Sequence, residues 1–254
     1  MKSPECDREG GGLTMTFHNR ADAARRLAEH VRRRRPERPV VVALAPRGVP
    51  LAVDLAAVLG APLDAVLVHE LAVPGCPPGV LGAVGEEGVS VLNLPLAVRL
   101  GVDPELLHKT AEQAGARTED LRRALREQLP HQPLERRTAV LVDAGVATGA
   151  GASVAATILR RRGAEELMLA VPVGVRSALR QLAGQVDALV CVREMPWPRP
   201  VHEWYDEYPD LSDQQARQLL VRSARDAGHK APATAGAGAG AGSRGHTGRA
   251  LLAR

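Results

Sequence analysis

V-L-V-D-A-G-V-A-T-G-A-G-A-S, from Val140 to Ser153, is the stretch on which the reading of this chain turns. Thr138 to Val142 is a short apolar, β-branched run, the pattern of a strand buried on both faces. Asp143 stands at its carboxyl end. A glycine-rich turn follows from Gly145 to Gly151, and Ala152 to Arg162 has helical composition. Strand, glycine turn and helix together aim free backbone N–H groups and a helix N-terminus at an anion, most often phosphate. Thr148 adds a hydroxyl to that ring of donors. An ionised Asp143 is an acceptor only and suits sugar hydroxyls. The same pattern also serves as a tight connection in any α/β protein, and these residues alone leave both readings open.

Outward from this stretch the pattern recurs. Val40 to Ala45 is a continuous apolar run, followed by Pro46-Arg47-Gly48-Val49-Pro50 and a helix over Leu51 to Leu59 that Gly60 stops. Arg47 thus sits at the carboxyl end of a second strand, where open α/β sheets bind ligands. An arginine at a surface turn would read the same. Asp64 to Val68 is a further strand, ending in His69-Glu70. Gly82–Val84 and Ser90–Asn93 flank Glu86-Glu87-Gly88, a hairpin signal with both acids expected in an exposed turn. Asn19 to Arg35 is predicted helical, with Ala23, Leu27 and Val31 at four-residue spacing and Asn19 as N-cap. Asp103 to Leu129 is predicted as a long helix capped by Asp103, with Pro104 at its first position. Leu167–Val173 and Asp187–Val192 are the last strands, Arg176–Leu182 a helix between them, and Asp213–Arg225 a closing helix with Ser212 as N-cap. Alternating strands and helices imply an α/β fold, a parallel sheet with helices on both faces.

Four of the chain's five aromatic residues, Trp197, Trp204, Tyr205 and Tyr208, fall within twelve positions beside Pro196, Pro198 and Pro200. Such a cluster either forms a small satellite core or offers a ring to a flat ligand.

The Val140–Ser153 stretch resembles the ribose-5-phosphate loop of type I phosphoribosyltransferases, a strand, two adjacent acids and a T-G-x-T turn. Asp143, Thr148 and Gly149 match, while Ala144 stands at the second acid and Gly151 at the closing threonine. The likeness extends from about Phe17 to Arg225 through F-x-x-R-x-D-A, P-R-G-V-P, G-A-V-G-E-E-G and the late W-Y pair. It implies a protein that binds 5-phosphoribosyl-1-diphosphate with magnesium held through the ligand's own oxygens. Phosphoribose would pass to a purine or pyrimidine base with release of pyrophosphate. On that reading the amides of Ala147, Thr148, Gly149, Ala150 and Gly151 hold the 5-phosphate and Asp143 the ribose hydroxyls. Arg47 and the neighbouring amides, Gly48 among them, hold pyrophosphate. The hairpin becomes a flap and the aromatic segment part of a small hood, with Trp197 or Tyr205 stacking on the base and Trp204 in the core. The family commonly has Arg-Lys where this chain has His69-Glu70, and P-R-G-G-V-P where it has one glycine fewer. Those departures suit a second reading, a non-catalytic regulatory module that keeps a sugar-phosphate pocket. The long helix could also support a homodimer, although packing on its own sheet is the simpler expectation.

Composition bounds the rest. The 254 residues are 45% hydrophobic and 24% charged, enough for a full core and without an apolar run that would span a bilayer. Residues 1–16 carry no apolar stretch of secretory type and read as a disordered leader, so a cytoplasmic protein is expected. Residues 17–225 form the expected domain, and 226–254 an Ala/Gly-rich disordered tail. That tail holds +3 of the formal net charge of +4, leaving the domain nearly neutral. With so few aromatics besides, a nucleic-acid groove is not expected. Cys6, Cys76 and Cys191 are odd in number and lack C-x-x-C spacing, which argues against disulfides and structural zinc.

Overall fold

A computed structural model describes residues 17–72, 80–197 and 199–230. In chain order the elements are α1 (Arg20–Arg33), β1 (Val40–Ala45), α2 (Val49–Leu59), β2 (Leu63–Ala72), β3 (Val80–Gly85), β4 (Ser90–Leu92), α3 (Leu94–Arg99) and α4 (Pro104–Arg126). Then come β5 (Thr138–Val142), α5 (Ala150–Arg161), β6 (Glu166–Val175), α6 (Arg176–Leu182), β7 (Ala188–Met195) and α7 (Asp213–Lys230). The seven strands form one sheet in the order β4-β3-β2-β1-β5-β6-β7. β2, β1, β5, β6 and β7 are parallel, whereas β3 pairs antiparallel with β2 and with β4. The sheet is therefore mixed, not purely parallel. The expected hairpin supplies the two antiparallel strands, because its short turn cannot carry the crossover that parallel pairing requires.

All six residues of β1 and all five of β5 are buried. Each buried valine or leucine there contributes roughly 1.5–3 kcal/mol, which fixes these strands at the centre. α1 starts where Asn19 Oδ1 accepts the N–H of Asp22, and α4 starts where the Asp103 carboxylate accepts the N–H of Glu105. Gly60 ends α2 at φ +63°, a conformation that glycine takes without strain. A smaller second core, with Leu71, Leu81, Val84, Leu107 and Ala111, lies between the hairpin and α4.

Several boundaries differ from the sequence reading, among them β7, which runs Ala188–Met195 and not Asp187–Val192. β2 runs on through His69 and Glu70, which pair with Val84 and Ala83 of β3. α4 stops at Arg126, and α7 continues to Lys230, past the expected tail boundary at residue 226. Residues 1–16 and 231–254, with Cys6 and Cys76, lie outside the described residues. Among the described residues no helix is long and apolar enough to cross a membrane.

The turn after β3 also departs from expectation. Glu87 is exposed, but Glu86 is 1% accessible. It enters a buried ionic cluster in which Asp64 takes Arg126 Nη1 at 2.7 Å, Arg162 Nη2 and the backbone N–H of Gln132 at 3.1 Å. No periodicity signals this, because the partners come from three distant elements.

Candidate functional site

The strand order puts a switch point between β1 and β5. From β1 the chain builds outward through β2, β3 and β4, then returns to the other side of β1 and builds through β5, β6 and β7. The connections leaving β1 and β5 therefore diverge, and a crevice opens at their carboxyl ends. The two loops bordering it are Pro46–Gly48 and Asp143–Gly149.

The loops are in contact. A Cβ on Gly48 would lie 2.4 Å from Val142 O, 2.8 Å from Leu44 O and 3.2 Å from Asp143 Cα, so only glycine lets the first loop close against β5. The second loop is tied to β6, where Val146 N–H donates to Val173 O (2.9 Å) and Val175 N–H to Val146 O (2.8 Å). Gly149, at φ +83°, turns the chain into α5. Thr148 Oγ1 accepts the N–H of Ala150 at 3.4 Å. The first N–H groups of α5 have no partner within the helix, which leaves donors and a positive dipole end at the loop.

Asp143 is buried, and its Oδ1 accepts the N–H of Ala144 at 2.8 Å. Burial pushes its carboxyl up to about 6; the positive charge of Arg47 and the bond from Ala144 oppose this, and Glu70 adds to it. Arg47 reaches across to Glu70, with Nη2 to Oε2 at 2.5 Å. Burial acts to lower the Arg47 pKa, but the charges of Asp143 and Glu70 outweigh it, so the guanidinium is held above its ordinary range. One cation thus faces two carboxylates.

The His69-Glu70 pair does not act as a unit. Successive strand residues point to opposite faces. Glu70 meets Arg47 and the first turn of α5. His69 lies on the other side, at the mouth of a cleft of about 320 Å³ with Leu67, Thr118, Leu121, Asp213 and Leu220 around it. The two positions, expected to address pyrophosphate together, are thus separated, and of the two Glu70 lies beside Arg47.

The aromatic segment packs on the back of the glycine-rich loop after β5. Tyr205 is buried, its hydroxyl donates to Ala144 O at 2.7 Å, and its ring stands 5.5 Å from Phe17 and 5.0 Å from Tyr208. Tyr205 is therefore a core residue propping the loop, and its ring has no face open for stacking on a base. Burial, together with the charges of Tyr208 and Asp143, raises its pKa. Trp204 is half-buried against the core, whereas Trp197 is 51% exposed just beyond the carboxyl end of β7. Val201 covers Gly145, where a Cβ would lie 3.0 Å from Val201 Cγ1. Backbone bonds from Phe17 N–H to Trp204 O (2.8 Å) and from Asp206 N–H to Phe17 O (2.9 Å) knit this segment to the start of the domain.

Arg47, Gly48, Asp143 and the Ala147–Gly151 turn therefore share one crevice. Glu70 joins them, and sequence reasoning did not foresee its ion pair with Arg47. Strand alternation, counted back from β2, would have separated Glu70 from His69. Among the described residues no group of three or more His, Cys, Asp or Glu side chains could hold a metal ion. Asp143 and Glu70 could only complete the shell of a hard cation that arrives with ligand oxygens.

No protein-family model matches the chain. Two curated proteins of Mycobacterium tuberculosis, from strains CDC 1551 and H37Rv, each named "Putative phosphoribosyl transferase", are 36% identical over 214 residues. The match covers 83% of this chain, and the chain spans about half (47%) of the length of those relatives. The crystal structure of TT1426 from Thermus thermophilus is 32% identical and superimposes with a TM-score of 0.66, covering 83% of this chain and 100% of that one.

Proposed function

The chain belongs to the type I phosphoribosyltransferase family, and on that premise we propose that the crevice between β1 and β5 binds 5-phosphoribosyl-1-diphosphate and transfers its phosphoribose to a nitrogenous base. The observation that carries this reading is the contact of the two loops at the switch point. It sets Arg47 beside Asp143 and the N-terminus of α5, the three kinds of group that a sugar carrying phosphate at both ends requires. The amides from Ala147 to Gly151 hold the 5-phosphate, Asp143 accepts from the ribose hydroxyls and Arg47 holds the diphosphate, whereas the Gly48 N–H, expected to join Arg47, is committed to Leu44 O at 2.8 Å. Trp197 is the aromatic side chain left open for a purine or pyrimidine.

The reaction would be displacement at C1 of the ribose. A ring nitrogen of the base attacks, the C1–O bond to pyrophosphate breaks, and positive charge develops on the sugar. Few proton transfers are needed from the protein, whose part is orientation and charge stabilisation. Asp143 and Glu70 are the residues that would help hold a magnesium ion bound with the diphosphate, and its charge would offset that of the leaving group.

Calorimetric titration of the full chain with ribose 5-phosphate tests the site, and a pyrophosphate-release assay across purine and pyrimidine bases tests the transfer. Asp143→Asn should weaken ribose 5-phosphate binding by about 1.5–3 kcal/mol, the value of a charged hydrogen bond, while the fold survives. Equal binding by parent and variant would place the sugar elsewhere.

The Arg47–Glu70 pair favours a second reading, a sugar-phosphate-binding module without turnover. In that case ribose 5-phosphate binds and no base releases pyrophosphate. Turnover of about 1 per second or faster would end that reading.

A further inference from the structure

Two departures from the family pattern, at positions 70 and 151, lie side by side in space. A Cβ built on Gly151 would stand 3.4 Å from Glu70 Oε1 and 3.8 Å from Glu70 Cγ. The γ atoms of a threonine at 151 would compete for the space that the Glu70 carboxylate occupies. Glycine at 151 clears the room into which Glu70 extends, so the two substitutions form one feature.

The position thus filled lies between two anion-seeking groups. On one side is the Arg47 guanidinium, bonded to Glu70 Oε2 at 2.5 Å. On the other is the first turn of α5, whose first N–H groups have no partner within the helix and which carries its positive dipole end. The pair is open to solvent, with 48% of the Arg47 side chain and 22% of the Glu70 side chain accessible, so an incoming ligand can reach it. Asp143 supplies a second carboxylate close enough to act on both Arg47 and Glu70.

We propose that Glu70 is the specificity-determining residue of this site, an intramolecular anion that holds Arg47 in the empty protein and must release it before a diphosphate binds. The proposal rests on the crevice being a phosphoribosyl site. A phosphate monoester held by the loop amides does not call on Arg47 and is little affected. A bare diphosphate needs Arg47 and meets Glu70 and Asp143 instead, a like-charge encounter. A diphosphate carrying a divalent cation gives Glu70 a new partner, because such cations take carboxylate oxygens. The site therefore discriminates against diphosphates that arrive without a cation, and Glu70 is the cause.

The test is calorimetric titration of the full chain and of Glu70→Gln, which keeps the size and removes the charge. Inorganic pyrophosphate and ribose 5-phosphate serve as probes, each with and without magnesium. The parent should bind pyrophosphate about tenfold or more tightly with magnesium than without it. In Glu70→Gln the magnesium-free affinity should rise about tenfold, the scale of one like-charge contact removed, and the magnesium effect should shrink. Ribose 5-phosphate affinity should change far less. Gly151→Thr, which takes up the room Glu70 uses, should move magnesium-free pyrophosphate binding in the same direction. Unchanged or weaker pyrophosphate binding by Glu70→Gln, with ribose 5-phosphate still bound, would overturn the proposal and make Glu70 a positioning residue for Arg47. Failure of both proteins to bind ribose 5-phosphate would overturn the reading of the crevice itself, and this proposal with it.

Discussion

Replacing Glu86 by glutamine should stabilise the protein, and by an amount that grows with pH. Glu86 is 1% accessible, and both its carboxylate oxygens are buried without a hydrogen-bond partner. The guanidinium of Arg126 approaches no closer than 3.8 Å. Burial pushes the Glu86 pKa up to about 7 from 4.5; Arg126 and Arg162 oppose the shift, and Asp64 and Glu87 add to it. Between pH 4.5 and 7 the folded protein then binds more protons at this site than the unfolded chain does. Stability falls as pH rises through that window and is level above it. A shift of this size corresponds to roughly 3 kcal/mol lost by pH 8, of which less than about 1 kcal/mol is already lost at pH 5. Glutamine keeps the shape, has no charge to desolvate and cannot titrate. Urea unfolding of parent and variant at pH 5 and pH 8 isolates the effect, since other titrating groups cancel in the difference. The stability gap should widen by about 2 to 3 kcal/mol from pH 5 to pH 8 at constant m-value. A gap independent of pH would refute the reasoning and show that Arg126 and Arg162 compensate an ionised Glu86 fully.

Gly48→Ala should cost about 1–3 kcal/mol of stability in thermal or urea unfolding, because the new Cβ meets the carbonyl oxygens of Val142 and Leu44. The same change should weaken binding of pyrophosphate with magnesium by shifting Arg47 from its place beside Glu70 and Asp143, and intact affinity would separate the two loops functionally. Tyr205→Phe should cost about 1 kcal/mol, since it leaves the buried Ala144 carbonyl without its 2.7 Å partner. No change in unfolding midpoint would mean that the ring alone supports the loop.

Local signals carried most of the fold. β1 and β5 fall where uninterrupted apolar runs placed them, α6 spans its expected residues, and Asn19, Asp103 and Ser212 cap helices as their side-chain chemistry suggests. The loop residues of the candidate site were legible for the same reason, since strand, glycine turn and helix are contiguous in sequence. Features that depend on distant partners were not legible. Glu86 looked like an exposed turn residue until the sheet and α4 enclosed it beside Asp64. Tyr205 looked like a stacking ring because its partners, Phe17 and the Ala144 carbonyl, lie far off along the chain. His69 and Glu70 looked like one pair because the strand was expected to end before them.

The bonds between Phe17 and the Trp204–Asp206 segment join positions almost 190 residues apart, and through Tyr205 they reach the loop after β5. Contacts of such sequence separation form late, because so much chain entropy must be lost before they repay it. The order of assembly follows. During synthesis β1 to β7 and both crevice loops are present before Tyr205 emerges, yet the Ala144 carbonyl gains its partner only when the segment after β7 folds back. The crevice loops come from the strands between Phe17 and Trp204, and the bonds between these two flanking segments finish the crevice. A nascent chain that stops before Tyr205 carries every strand of the sheet while its glycine-rich loop still lacks the bond from Tyr205 to Ala144 O.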